Sequence, residues 1–205
     1  MSVILVTGFE PFDGASLNPS AELANRLDCR RLGGAEIRAA VLPVRHVGAA
    51  AAVRSLLDAH DPAAVVHLGL AGERAQLSLE RIAVNLMDYA IPDNAGGQVR
   101  DEPCVAGGPA AYWSTLPLRP MLEAVQAAGV PAHLSTTAGT YLCNFVMYTT
   151  LHALAGRPEP PLAGFIHLPR LPSMVAPGSA GESSMDLGLM LRGVEAALEV
   201  AAARR

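Results

Sequence analysis

The chain has 205 residues, 51% of them hydrophobic, which suits a single catalytic domain over residues 1–205 with a sizeable core. Its formal net charge is −4 and all 15 basic residues are arginines, scattered without a basic stripe, which excludes an electrostatic footprint for nucleic acid. With no lysine anywhere, a lysine nucleophile or Schiff base is excluded outright.

The opening apolar run VILV is far below membrane-spanning length, and no charged stretch leads into a long apolar segment. The expectation is a soluble cytoplasmic protein with no membrane partner. SVILVTGF reads as a central strand covered on both faces, ended by Gly8. The loop EPFDGASLNPS follows, and Asn18 with Pro19 marks a helix start: a good N-cap and a first position where the missing N–H costs nothing. EIRAAVLPV predicts a second strand, HVGAAAAVRSLLDAH a helix closed by Asp61-Pro62, and AAVVHLGL another buried strand. LSLERIAVNL alternates enough for a further strand or hairpin arm, and PAHLSTT and AGFIHLP supply two more strands.

Helices are expected over 109–128, over 143–155, and after Gly181. Ser183 is the expected N-cap of the last one, with Asp186 three residues on, and Leu187, Leu191, Val194 and Leu198 form its apolar face. Alternating strands and helices imply an α/β sandwich around a mostly parallel sheet, whose active site lies at the carboxyl ends of the strands. Phe9 and Phe12, Gly69 to Arg74, and His167 fall there. Residues 88–108 lack periodicity and are rich in Gly, Pro, Asp and Asn, so they are expected to be a lid or a subunit contact.

The cysteines, Cys29, Cys104 and Cys143, are odd in number and widely spaced, with no CxxC and no paired Cys/His spacing; a disulfide framework or a zinc site is not expected. Cys143 follows a tight turn through Ala138-Gly139 and opens an apolar helix. Unpaired N–H groups and the helix dipole there favour a thiolate and could hold an oxyanion. The alternative is a buried small hydrophobe.

A thiol nucleophile needs a base and a group to orient it. His46 and His60 flank a helix in polar context and should be solvated; His133 begins a strand and His152 lies inside a helix. His67 and His167 sit near the ends of buried strands, where each could equally be a satisfied core histidine. Glu80 interrupts an apolar run and must find a partner, either an arginine such as Arg81 or a histidine.

Together these segments resemble the pyroglutamyl peptidase I (pyrrolidone-carboxylate peptidase) family of cysteine peptidases. The resemblance runs from VTGFEPFDGASLNPS through IPDN to GFIHLP. GLAGERAQLSLERIAVN matches the family's glutamate motif, and LSTTAGTYLCN its cysteine motif. The resemblance implies Cys143 as nucleophile, His167 as acid/base and Glu80 as the group orienting the imidazole. It also implies removal of N-terminal 5-oxoproline from peptides without metal or cofactor. The implied fold is a three-layer α/β/α sandwich of the kind found in purine nucleoside phosphorylases, commonly tetrameric. Phe9, Phe12, Tyr141 and Leu142 resemble the family's slot for the small uncharged ring.

Three positions depart from the common pattern: Ala90 where many members have arginine, Leu70 where glutamine is common, and Glu73 where glycine is common. The first leaves Arg74 or backbone groups to assist an oxyanion. Two rival readings are a nucleoside-phosphorylase-like enzyme, for which no Gly-rich phosphate loop or arginine cluster is evident, and a silent member of the fold, which should have lost a triad residue.

Overall fold

A computed structural model describes residues 2–176 and 182–203. The central sheet is built from β1 (Val3–Phe9), β2 (Arg31–Leu32), β3 (Ala35–Leu42), β4 (Ala64–Leu70), β5 (Leu77–Glu80), β8 (Ala132–Ser135) and β9 (Leu162–Leu168). Its order is β2-β3-β1-β4-β9-β5-β8. The pairs β3–β1, β1–β4, β4–β9 and β5–β8 are parallel, while β2–β3 and β5–β9 are antiparallel. The sheet is therefore mixed and mostly parallel, as the continuous apolar runs imply.

Helices α1 (Pro19–Leu27), α3 (Leu118–Ala127) and α5 (Leu187–Ala202) supply Leu23, Val125 and Val194 to one core layer, which also takes Ile4 and Val6 from β1. Helices α2 (His46–His60) and α4 (Leu142–Leu154) supply Val53, Leu57, Val146 and Leu151 to the other, which takes Leu5 and Phe9. Alternate residues of one strand thus feed opposite layers, as a period of two requires. Each fully buried aliphatic side chain contributes roughly 1.5–3 kcal/mol of burial free energy. The result is a three-layer α/β/α sandwich. No helix among the described residues is long and apolar enough to cross a membrane.

The start of α1 is built as its sequence implies. Asn18 Oδ1 accepts from Ser20 N at 3.0 Å, Pro19 takes the first turn, and Ser20 Oγ accepts from Phe9 N at 3.0 Å. Gly8 makes this docking possible, because a Cβ there would lie 2.2 Å from Ser20 O.

Three expectations need correcting. The helix expected over 109–128 begins only at Leu118; Ala111–Trp113 is instead a strand, β7, paired antiparallel with β6 (Ile82–Val84). Tyr112 and Trp113 prefer the extended ribbon, and Pro109 and Pro117 resist a continuous helix through this stretch. LSLERIAVNL is likewise not one arm: it breaks at Arg81, leaving β5 in the main sheet and β6 in the two-stranded one. Finally, the N-cap of α5 is Asp186, whose Oδ1 accepts from Gly188 N at 2.8 Å and Leu189 N at 3.2 Å, rather than Ser183. Gly181, taken as the upstream limit of that helix, lies outside the described residues.

Residues 88–108 form a pinned wall. Tyr89 N donates to Val99 O, and Asn94 N to Val44 O. The Asp93 carboxylate takes N–H groups from Ala95 at 2.9 Å and Gly97 at 2.8 Å. Asn94 Nδ2 reaches both Glu10 Oε1 and Pro11 O at 2.9 Å, tying this wall to the loop after β1.

Candidate active site

The loops at the carboxyl ends of β1, β4 and β9, with the start of α4, enclose a cleft of about 810 Å³. Cys143 and His167 both line it, as do Phe9, Phe12, Tyr141 and Leu142. Every residue expected from the sequence to bind or react is therefore at this cleft except Glu80, which is fully buried behind His167.

Cys143 is the second residue of α4, which starts after Tyr141 with no side chain capping it. The first N–H groups of a helix have no intrahelical partner, so they are free to face an anion in the cleft. Gly69 forms the floor beneath the sulfur: a Cβ there would lie 2.9 Å from Cys143 Sγ and 2.6 Å from the Phe165 ring. The next residue holds the helix in place. Asn144 Oδ1 accepts from Val84 N at 2.9 Å, while its Nδ2 donates to Val84 O and Leu86 O.

The expected thiolate is not the resting state that the environment favours. Burial pushes the Cys143 thiol up to about 12, and the charge of Glu80 adds to the rise, against the lowering by Arg74. Desolvation of the sulfur thus outweighs the helix N-terminus. Burial therefore favours the protonated thiol over the thiolate.

His167 is only 4% exposed, and its Nδ1 lies 2.7 Å from Glu80 Oε1. Burial lowers the His167 pKa, partly offset by Glu80. Burial also acts to raise the Glu80 pKa, but the hydrogen bond and charge of His167, with help from Arg74, hold it below its ordinary value. With Glu80 ionised, Nδ1 donates to the carboxylate, which leaves Nε2 as the proton acceptor.

Sequence reading paired Glu80 with either an arginine such as Arg81 or a histidine; the structure gives it both a histidine and Arg74. Arg74 Nη1 lies 2.5 Å from Glu80 Oε1, and Nη2 donates to Thr137 O at 2.8 Å. Arg74 therefore links the buried carboxylate to the turn that delivers Cys143. Its place in GLAGERAQLSLE, six residues before Glu80, was the available signal.

Four of the other five histidines are engaged elsewhere. His67 is fully buried between Thr7 Oγ1 at 2.7 Å and Thr150 Oγ1 at 3.0 Å. His152 Nδ1 pairs with Tyr112 OH at 2.8 Å, and His133 Nε2 approaches Ser78 Oγ at 3.4 Å. His46, expected in solvent, is part-buried; its ring sets edge-on against Tyr89 and Phe145.

The two phenylalanines both pack on other aromatic rings and both line the cleft. Phe9 is the last residue of β1, packs 6.4 Å from the Phe165 ring, and still lines the cleft. Phe12 stands 6.1 Å from Tyr141, whose hydroxyl donates to Pro92 O at 3.1 Å and so joins the slot to the wall formed by 88–108. Leu142 is almost wholly buried beside them. Among the described residues no three His, Cys, Asp or Glu side chains converge to hold a metal ion.

A model of the pyroglutamyl peptidase family matches residues 2–204. The chain belongs to the pyroglutamyl peptidase family. The pyrrolidone-carboxylate peptidase of Gloeobacter violaceus is 47% identical over 197 residues, which is 96% of this chain and 95% of that one. That of Pyrococcus furiosus is 42% identical over 202 residues, 97% of each. Among solved structures, pyroglutamyl peptidase I of Bacillus amyloliquefaciens superposes with a TM-score of 0.95 at 35% identity, over 100% of this chain and 98% of that one. A mutant pyrrolidone carboxyl peptidase from P. furiosus gives 0.93 at 41% identity, over 97% of both. The three departures from the common family pattern, Leu70, Glu73 and Ala90, all fall on the cleft wall.

Proposed function

We propose that the chain is a cysteine peptidase that hydrolyses the bond following an N-terminal pyroglutamyl (5-oxoprolyl) residue, with Cys143, His167 and Glu80 as its catalytic groups. The observation that carries this reading is the buried His167–Glu80 hydrogen bond of 2.7 Å, opening on the cleft that holds Cys143 at an uncapped helix start.

As Sγ adds to the pyroglutamyl carbonyl, its proton passes to Nε2 of His167, and Glu80 stabilises the imidazolium through Nδ1–H. The carbonyl oxygen becomes an oxyanion facing the free N–H groups at the start of α4. Arg74 is committed to Glu80 and Thr137, so the backbone takes the part of the arginine that Ala90 replaces. His167 then protonates the departing amine, and the thioester is hydrolysed by water that His167 deprotonates. The slot of Phe9, Phe12, Tyr141 and Leu142 suits a flat, uncharged lactam.

The free cysteines fit a reducing compartment such as the cytoplasm, and the family resemblance supports a single catalytic domain assembled as a homotetramer; a monomer mass by light scattering would exclude the tetramer. The activity test is release of a fluorophore from a pyroglutamyl amide under reducing conditions. The wild-type protein should turn it over, and Cys143→Ala should lose at least about 10⁴-fold in kcat. Substitution of Cys29 or Cys104 should leave most of the activity. Turnover surviving in Cys143→Ala rejects the assignment.

A further inference from the structure

The cleft has two chemically distinct ends. β1, β4 and β9 are neighbours in the sheet, so the loops at their carboxyl ends follow one another along one edge. The β1 end carries the aromatic residues, with Asp13 on the same loop. Beyond the thiol, the other end is charged: it carries Glu73 and Arg74 after β4, Arg170 after β9, and Glu182. A five-membered lactam seated among the aromatic residues occupies only part of about 810 Å³, and the rest of the substrate must run toward the charged end.

Of the two arginines there, Arg74 is committed at both Nη atoms, to Glu80 and to Thr137 O. Arg170 is different. Its guanidinium packs against Gly72, where a Cβ would lie 2.5 Å from Nε. Its backbone is held by Met185 N, which donates to Arg170 O at 2.9 Å. Among the described residues its guanidinium makes one hydrogen bond, from Nη1 to Glu182 Oε2 at 2.7 Å, and the side chain remains 34% exposed. A guanidinium carries five N–H donors in a rigid fork suited to carboxylates, so most of its capacity is left for the cleft. It stands three residues after His167, just past the end of β9 on the cleft wall.

We propose that Arg170 is a specificity-determining residue that binds a carboxylate on the departing part of the substrate, either its C-terminal carboxylate or an acidic side chain. This rests on the activity proposed above. Glu73 and Glu182 make the rest of this end acidic, so a carboxylate is accepted only where the Arg170 fork can reach it.

The test uses two substrate pairs that differ only in one charge. Pyroglutamyl-alanine against its amide reads a C-terminal carboxylate; pyroglutamyl-glutamate amide against pyroglutamyl-glutamine amide reads a side chain. In Arg170→Gln the acid-to-neutral ratio of kcat/KM should fall about threefold to tenfold in at least one pair, and which pair falls identifies the source. Arg170→Lys, which keeps the charge, should retain part of the ratio. Because each ratio is taken on one preparation, loss of folded protein cancels. Ratios unchanged in both pairs, or a substrate preference for basic residues that Arg170→Gln leaves intact, overturn the proposal. Wild-type turnover of an uncharged pyroglutamyl arylamide decides the underlying activity separately: if it is cleaved while both ratios stay fixed, only the role of Arg170 fails; if it is not cleaved, both fail.

Discussion

His67 and His167 stand two strand positions apart on the adjacent parallel strands β4 and β9, and they pack on the same ring. Phe165 lies 6.2 Å from His67 and 4.6 Å from His167, centroid to centroid. Both imidazoles are buried, yet their partners differ in charge and in number. His67 has a hydroxyl at each nitrogen, from Thr7 and Thr150, and burial drives its pKa to about 3. It is a sealed neutral ring that ties β1 and α4 to β4. His167 has a carboxylate at Nδ1 and a cleft on its other side. The carboxylate supports the charged form against desolvation, and the open nitrogen can exchange a proton. Position near a strand end is common to both; only the partner set separates a ring open to the cleft from a sealed one.

The contrast breaks most visibly in turnover. His167→Ala should lower kcat by about 10³-fold or more, whereas His67→Gln should hold kcat within about threefold and instead weaken folding by about 1–3 kcal/mol. Steady-state kinetics and urea melts on both variants check this; comparable loss of kcat in the two would erase the distinction. Next in size is Glu80→Gln. It keeps the shape but removes the charge that orients the imidazole, so kcat should fall about 10²- to 10⁴-fold with the cleft intact. A loss in KM alone would show that Glu80 does not act through His167.

The smallest effect sharpens the comparison from the other side. An unfolded His67 takes up a proton as pH falls through its ordinary 6.5, while the folded one stays neutral down to about 3. Stability therefore holds above pH 6.5 and declines below it, by roughly 1.4 kcal/mol per pH unit for this group alone. Because the His167 pKa is also lowered, it adds a decline of the same sign. In His67→Gln the slope between pH 6.5 and 4.5 should become shallower without vanishing. Chemical denaturation across that window measures it, and parallel slopes for variant and wild type would count against the sealed ring.

Much of this was legible where local chemistry decides. Asn18-Pro19 announced a cap and a first turn, the 46–60 helix was bounded by its own Asp61-Pro62, and the buried strands announced themselves as unbroken apolar runs. Cys143 and Glu80 lie in dense motifs, and the fold brings His167 to Glu80 and onto the cleft that Cys143 lines. What stayed hidden depends on residues far apart in the chain. The ribbon β6–β7 exists because Ala111–Trp113 finds Ile82–Val84, a pairing no local window contains. Arg74 could be named as a spare cation, but its bond to Glu80 depends on how the turn after β4 folds back. The protonated thiol was missed for a related reason: a helix start is visible in sequence, while the desolvation that overrides it comes from the surrounding layers.

Gly69 gives the site a property that bears on what can change around it. The sulfur of Cys143 rests over the Gly69 backbone beside the Phe165 ring, and any side chain at position 69 would collide with both. Space for different side chains lies instead at the sides of the cleft, where Leu70, Glu73 and Ala90 stand. The wall can change its side chains while the sulfur keeps its address.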